Sequence, residues 1–101
     1  MYNKIGMKFD YNKDKDLWLK EIRGVGFEEV IEAIESKGVL DDAEHFNKVK
    51  YPNQRIFVIE LKHHIYMIPY VIDKKRKVKF LKTIYANRKL KKVYLKNEQK
   101  I

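Results

Sequence analysis

A histidine, two arginines, a lysine and a tyrosine are the side chains here best suited to chemistry on a phosphate ester: His45, Arg55, Arg88, Lys82 and Tyr85. An unperturbed imidazole titrates near pH 6.5, so His45 is the first candidate to give or take a proton at neutral pH. Arg55, Arg88 and Lys82 are fixed cations for developing phosphoryl charge, and the arginine fork meets two phosphate oxygens at once. Tyr85 would stack on a base or donate a proton. Metal-free cleavage of RNA asks for little more, because the ribose 2′-hydroxyl is the nucleophile; one proton must leave it and the departing oxygen must gain one. Each residue also has a plainer reading. A lone loop histidine is most often merely solvated, and Arg55 and Arg88 are equally well explained by salt bridges to helix acids.

Other chemistries find less support. The chain has no cysteine, which removes disulfides, thiolate metal sites and a cysteine nucleophile. His63 and His64 lack the spacing of a His-Glu-x-x-His metal site, and Gly24-x-Gly26 has no third glycine and follows a helix. No metal and no cofactor is expected.

The charge is segregated. From Lys74 to the C-terminus twelve Lys and Arg face the single acid Glu98, a net +11, although the whole chain carries only +9. The preceding residues are therefore mildly acidic, and a polyanion is the natural partner of the tail. RNA, DNA, an anionic membrane face or an acidic protein each fit that charge; Lys74, Lys75, Arg76, Lys77, Lys79, Lys89, Lys91 and Lys92 are the expected contacts if the partner is RNA. Val78, Phe80, Leu81, Ile84, Leu90 and Val93 give the same stretch enough apolar side chains to fold against a core.

The elements that must position these residues are readable in outline. With 101 residues, 45% of them apolar, the chain is expected to form one domain over 7–97 after an N-terminal extension of residues 1–6. It has neither an apolar run long enough to span a membrane nor the apolar segment of a signal peptide, so no membrane contact and a cytoplasmic location are expected. Met7 to Tyr11 alternates as a short strand, and Asn12 with Asp14 and Asp16 opens a helix to about Arg23. Trp18, Leu19 and Ile22 give that helix an apolar face. Gly24 to Gly26 breaks it. Phe27, Val30, Ile31 and Ile34 fall at helical spacing, and Gly38 fits the stop. Residues 39–54 read as a long loop. Strands follow over 55–61, 64–72 and 77 to about 85, with Pro69 expected at an edge or a bulge. Leu90, Val93 and Tyr94 mark a short basic helix from Asn87. Trp18, Phe27, Phe57 and Phe80 are assigned to the core. The fold class is α+β: an N-terminal strand, two helices, an antiparallel three- to four-stranded meander and a short basic C-terminal helix.

That order, with several weak motifs, resembles the small bacterial toxins of the RelE-like ribonuclease superfamily, and in particular BrnT-like toxins. Phe9-Asp10-Tyr11-Asn12 followed by Arg23-Gly24-Val25-Gly26-Phe27-Glu28-Glu29-Val30 is similar to their opening. Asp42, His45 and Arg55 match an acid, a histidine and an arginine of that family in rough spacing. Ile84 to Lys89 resembles its Ile-Ser-Ala-Arg segment, with Tyr94 as a late tyrosine. Arg23 stands where the family usually has histidine, and the serine position falls to Tyr85 or Asn87. The resemblance implies the toxin of a type II toxin–antitoxin system, a metal-independent endoribonuclease that acts on messenger RNA, free or on ribosomes. It also implies a cognate antitoxin, often a DNA-binding repressor. The alternative is a non-catalytic RNA- or ribosome-binding module using the same basic surface. An acidic protein partner, and last an anionic membrane, complete the candidates.

Overall fold

A computed structural model describes residues 8–94, and the N-terminal extension, Met7 and residues 95–97 lie outside them. The described residues form an α+β fold with three helices and a mixed six-stranded sheet. Strand β1 (Lys8–Tyr11) leads into α1 (Lys13–Arg23) and α2 (Phe27–Lys37). Strands β2 (Asp41–Glu44), β3 (Arg55–Leu61), β4 (His64–Asp73), β5 (Val78–Leu81) and β6 (Tyr85–Ala86) follow, and α3 (Arg88–Tyr94) comes last. The sheet order is β1-β5-β4-β3-β2, and β6 pairs with β4. The meander from β3 to β5 is antiparallel as expected and β2 extends it, whereas β1 lies parallel to β5 and makes the sheet mixed.

Helix α1 starts where Asn12 Oδ1 accepts the Lys15 N–H at 2.9 Å, and it ends at Gly24, whose φ of 72° suits a residue without Cβ. Its packing differs from the expectation. Trp18 and Ile22 are 42% and 63% exposed, and α1 buries Leu19 and Asp16 instead. The reason is Asp16: its Oδ1 accepts the Phe27 N–H at 2.7 Å, so the face turned inward is the one that caps α2. Trp18 is accordingly not a core residue; Lys15 Nζ and the Arg23 guanidinium lie 4.6 and 5.2 Å from its ring centre. Helix α2 buries Phe27, Val30, Ala33 and Ile34, with Ile31 packed beside them, and Gly38 ends it.

Alternation along β3 and β4 builds a core on each face of the sheet. Phe57, Ile59, Ile68 and Tyr70 meet α1 and α2, while Ile56, Val58 and Ile65 meet Met67 and Leu90 of α3 on the other side. Two expectations about strands are corrected. Residues 41–44 are a strand rather than loop, because the free edge of β3 supplies a hydrogen-bonding partner to an acidic segment of low strand propensity. The strand expected over 77–85 is two, β5 on Tyr70–Asp73 and β6 on Tyr66–Met67 of β4. Pro69 sits at the break. Its carbonyl accepts the Lys82 N–H at 2.8 Å, so its nitrogen faces the gap on the same side, where a missing donor leaves no ladder bond unmade.

The β3–β4 turn places Lys62 and His63 at φ 56° and 66°, the left-handed pair that a two-residue hairpin needs. His63→Gly relieves that strain at its second position and is expected to stabilise the fold by about 1 kcal/mol in urea unfolding. An unchanged or lower midpoint would contradict it.

Candidate functional site

The residues that follow β2 fold back on themselves. His45 N–H donates to Gln54 O at 3.0 Å, Tyr51 N–H to Asn47 O at 2.9 Å and Lys50 N–H to Asn47 Oδ1 at 3.1 Å, which closes the segment between β2 and β3 into an ordered loop. His45 is therefore not a solvated loop histidine: it is only 6% exposed. Its ring centre lies 4.6 Å from those of Phe46 and Tyr51. Its Nδ1 accepts the Asn47 N–H at 3.0 Å, and a backbone N–H can only donate, so the neutral ring carries its proton on Nε2. That Nε2 bonds to no other described residue, and among the described residues no buried side-chain nitrogen or oxygen lacks a partner, so Nε2 reaches solvent.

His45 lines a pocket of about 520 Å³ on the face of the sheet shared with α3. The floor is Pro69, and the β5–β6 crossing contributes Lys82, Thr83 and Tyr85. Three of the five chemically suited residues, His45, Lys82 and Tyr85, thus come together. The break at Pro69 brings this about, because a continuous strand would have carried residues 82–85 straight along β4. The break is held from the opposite face, where Arg23 donates through Nη1 to the carbonyl of Ile84, a fully buried residue. Burial pushes the Tyr85 phenol above its usual range, and Lys82 has no ion pair among the described residues. No acid lines the pocket; Lys50 and Lys82 are its charges. Among the described residues no three His, Cys, Asp or Glu side chains gather as metal ligands.

Arg55 and Arg88 are not part of this pocket. Arg55 points to the other face, where its Nε meets Asp42 Oδ1 at 3.1 Å and its Nη2 donates to Asp42 O at 2.9 Å. The salt bridge foreseen for it exists, with β2 as partner instead of a helix. Tyr70 Oη donates to the same Asp42 oxygen at 2.8 Å, and hydrogen bonding with Tyr70 and the Asp42 charge raise the Arg55 pKa. This trio pins the acidic edge strand to β3 and β4. Tyr70→Phe is expected to cost about 1.5–3 kcal/mol, the range for a hydrogen bond to a charged group. Burial first, then the bond to Asp42, raise the Tyr70 phenol well above its usual range. The unfolded chain therefore releases this proton first, and the contribution is complete below about pH 10 and lost as pH rises further. Alkaline unfolding should start later in Tyr70→Phe than in the native chain, relative to each protein's stability at pH 8.

Arg88 is exposed at the first position of α3 and has no ion pair among the described residues. Asn87 caps that helix, its Oδ1 accepting the Leu90 N–H at 3.0 Å.

No family profile, curated protein or solved structure matches this chain.

The expected RNA contacts divide into separate groups. Lys74, Lys75 and Lys77 are exposed in the β4–β5 turn, and Lys89 and Lys92 are exposed on α3, with Lys91 half-buried. Because α3 follows the end of β6 beside Ile65, the two clusters stand at opposite ends of β4, roughly 26 Å apart at about 3.3 Å per residue. The pocket lies between them. Two members leave the set: Arg76 is engaged by Asp10 and Asp73, and Lys79 lies over the Phe57 and Tyr70 rings on the face opposite the pocket. Sequence reasoning missed Phe46, Asn47, Lys50, Tyr51, Gln54, Pro69 and Thr83 as pocket residues. Pro69 was the available signal, since a proline inside an apolar strand marks the break that forms the site.

Proposed function

We propose that this chain is a RelE-like toxin of the BrnT-like branch, a metal-independent endoribonuclease of a type II toxin–antitoxin system that works in the cytoplasm. The observation that carries the reading is the gathering of His45, Lys82 and Tyr85 in one acid-free pocket between two exposed basic clusters. RNA laid from the β4–β5 turn to α3 would cross that pocket. There the 2′-oxygen attacks the adjacent phosphorus, the bond to the 5′-oxygen breaks, and a 2′,3′-cyclic phosphate and a 5′-hydroxyl result. Lys82 offsets the charge that grows on the phosphoryl oxygens, and His45 Nε2–H and the Tyr85 hydroxyl donate to them. The proton of the 2′-hydroxyl and the one gained by the 5′-oxygen pass through water. A cognate antitoxin would hold the enzyme inactive by covering this face.

One observation favours a second reading, an RNA- or ribosome-binding module without catalysis. Every polar group identified as facing an anion is a donor: the neutral His45 tautomer presents N–H, Lys82 is a cation, and Tyr85 is a neutral phenol whose ionisation burial makes harder still. A general base is not among them.

The deciding experiment is cleavage of a defined messenger RNA with EDTA, with and without translating ribosomes, by the native chain and by His45→Ala and Lys82→Ala. Cleavage that survives the chelator and collapses in both folded variants supports the toxin. Tight, salt-sensitive RNA binding with no cleavage in any format supports the second reading.

A further inference from the structure

The pocket is more than a cationic spot, since its wall is built from rings. Phe46 is 76% exposed, a large apolar ring left open to solvent while its neighbour His45 is buried. Tyr51 flanks the same imidazole, and Tyr85 stands in the lining contributed by β6. A volume of about 520 Å³ lies inside the span of roughly 300–1,000 Å³ in which proteins hold groups the size of a small ligand. The lining has cations and no acids, so the occupant is anionic or carries an anion beside it. Gln54 bonds to His45 and Tyr51 through its backbone, whereas its side-chain amide bonds to no other described residue and presents both a donor and an acceptor. The Asn47 oxygen is used by Lys50 N–H, but its NH₂ makes no bond to another described residue.

Aromatic surface, a free amide and a cation together match one ligand chemistry, a base joined to a phosphate. We infer that the pocket seats a single unstacked nucleotide of single-stranded RNA, with the base on Phe46 and its edge read by Gln54. The adjoining phosphate rests on Lys82, with His45 Nε2–H as a further donor. A duplex cannot enter, because its bases are stacked inward and A-form grooves do not offer them to a concave site. Stacking tolerates any base, so selectivity at this position rests on Gln54. The inference builds on the reading of the chain as an RNA-binding protein and adds the strand state, the nucleotide and the residues that hold it.

The test uses RNA that cannot be cleaved, so that it stands apart from catalysis. A 2′-O-methyl hexanucleotide, the same hexamer with abasic residues throughout, and a duplex of the same sequence are titrated by fluorescence anisotropy at fixed salt. The single strand should bind at least tenfold tighter than the duplex, and Phe46→Ala should lose about tenfold, in the range for one stacked base. The abasic strand should bind weakly and respond less than twofold to Phe46→Ala. Phe46→Trp should retain the affinity, and Gln54→Ala should narrow differences among homopolymeric hexamers. Circular dichroism confirms that each variant is folded; since the Phe46 ring is exposed, its truncation leaves both cores intact. Equal binding of strand and duplex, or an unchanged affinity in folded Phe46→Ala, would overturn the seat even if native RNA is cleaved. A seat that behaves as described with no cleavage of native RNA would retain this inference and remove the nuclease.

Discussion

Lys82→Ala is expected to lower the rate of RNA cleavage about a hundredfold, the usual effect of removing one donor from developing oxyanion charge. The structure separates this from a folding defect. The Lys82 side chain is exposed, has no ion pair among the described residues, and carries its ammonium 5.4 Å from the Phe80 ring centre, while the Lys82 N–H bond to Pro69 O is a backbone bond that alanine keeps, so stability should change by no more than about 0.5 kcal/mol. Lys82→Arg keeps the charge in a larger group and should restore part of the rate. Arg55→Ala makes the opposite pattern: its guanidinium holds Asp42 on the far face, so stability falls while the per-molecule rate of the folded fraction stays near native. Single-turnover rates at saturating protein, set beside urea midpoints, read both quantities. A native rate in Lys82→Ala would remove the lysine from the chemistry and leave the pocket as a binding site.

The largest loss of stability is expected from Asp16→Ala, about 2–3 kcal/mol, or a fall in melting temperature of about 10–20 °C for a domain of this size. Asp16 is 7% exposed and accepts the first N–H of α2 at 2.7 Å, while Lys20 Nζ lies 3.1 Å from its other oxygen. Alanine leaves that helix start without its acceptor and removes a negative charge from the positive end of the α2 dipole. Asp16→Asn preserves an acceptor and should cost about half as much. Thermal unfolding of the two variants decides the matter, and a loss under about 0.5 kcal/mol for alanine would show that water replaces the carboxylate. The consequence reaches the pocket. Asp16 fixes the link between α1 and α2, and Arg23 at the end of α1 holds the Ile84 carbonyl between Lys82 and Tyr85. Arg23 therefore has a structural task in this chain.

Local pattern alone determined α2, the capped start of α1, the β3–β4 hairpin and the basic final helix. Those elements are set by apolar periodicity, an Asn cap and turn residues, which act over a few positions and need no partner to be recognised. It also determined that the basic charge begins at Lys74, and it set Pro69 at an edge or a bulge, which the structure resolves as a break between two partners of a central strand. Tertiary structure decided the rest. Asp41–Glu44 becomes a strand only because β3 offers an edge, and Trp18 stays outside because Asp16 is needed inside to cap α2. His45 becomes a buried ring of fixed tautomer through a loop that closes on Gln54, a contact nine residues away that no local spacing announces. A continuous run of charge becomes two clusters because β4 carries the turn and α3 to opposite ends of the sheet. Periodicity reports which face of an element is apolar, but which neighbours that element meets is settled only when all faces compete for the same core.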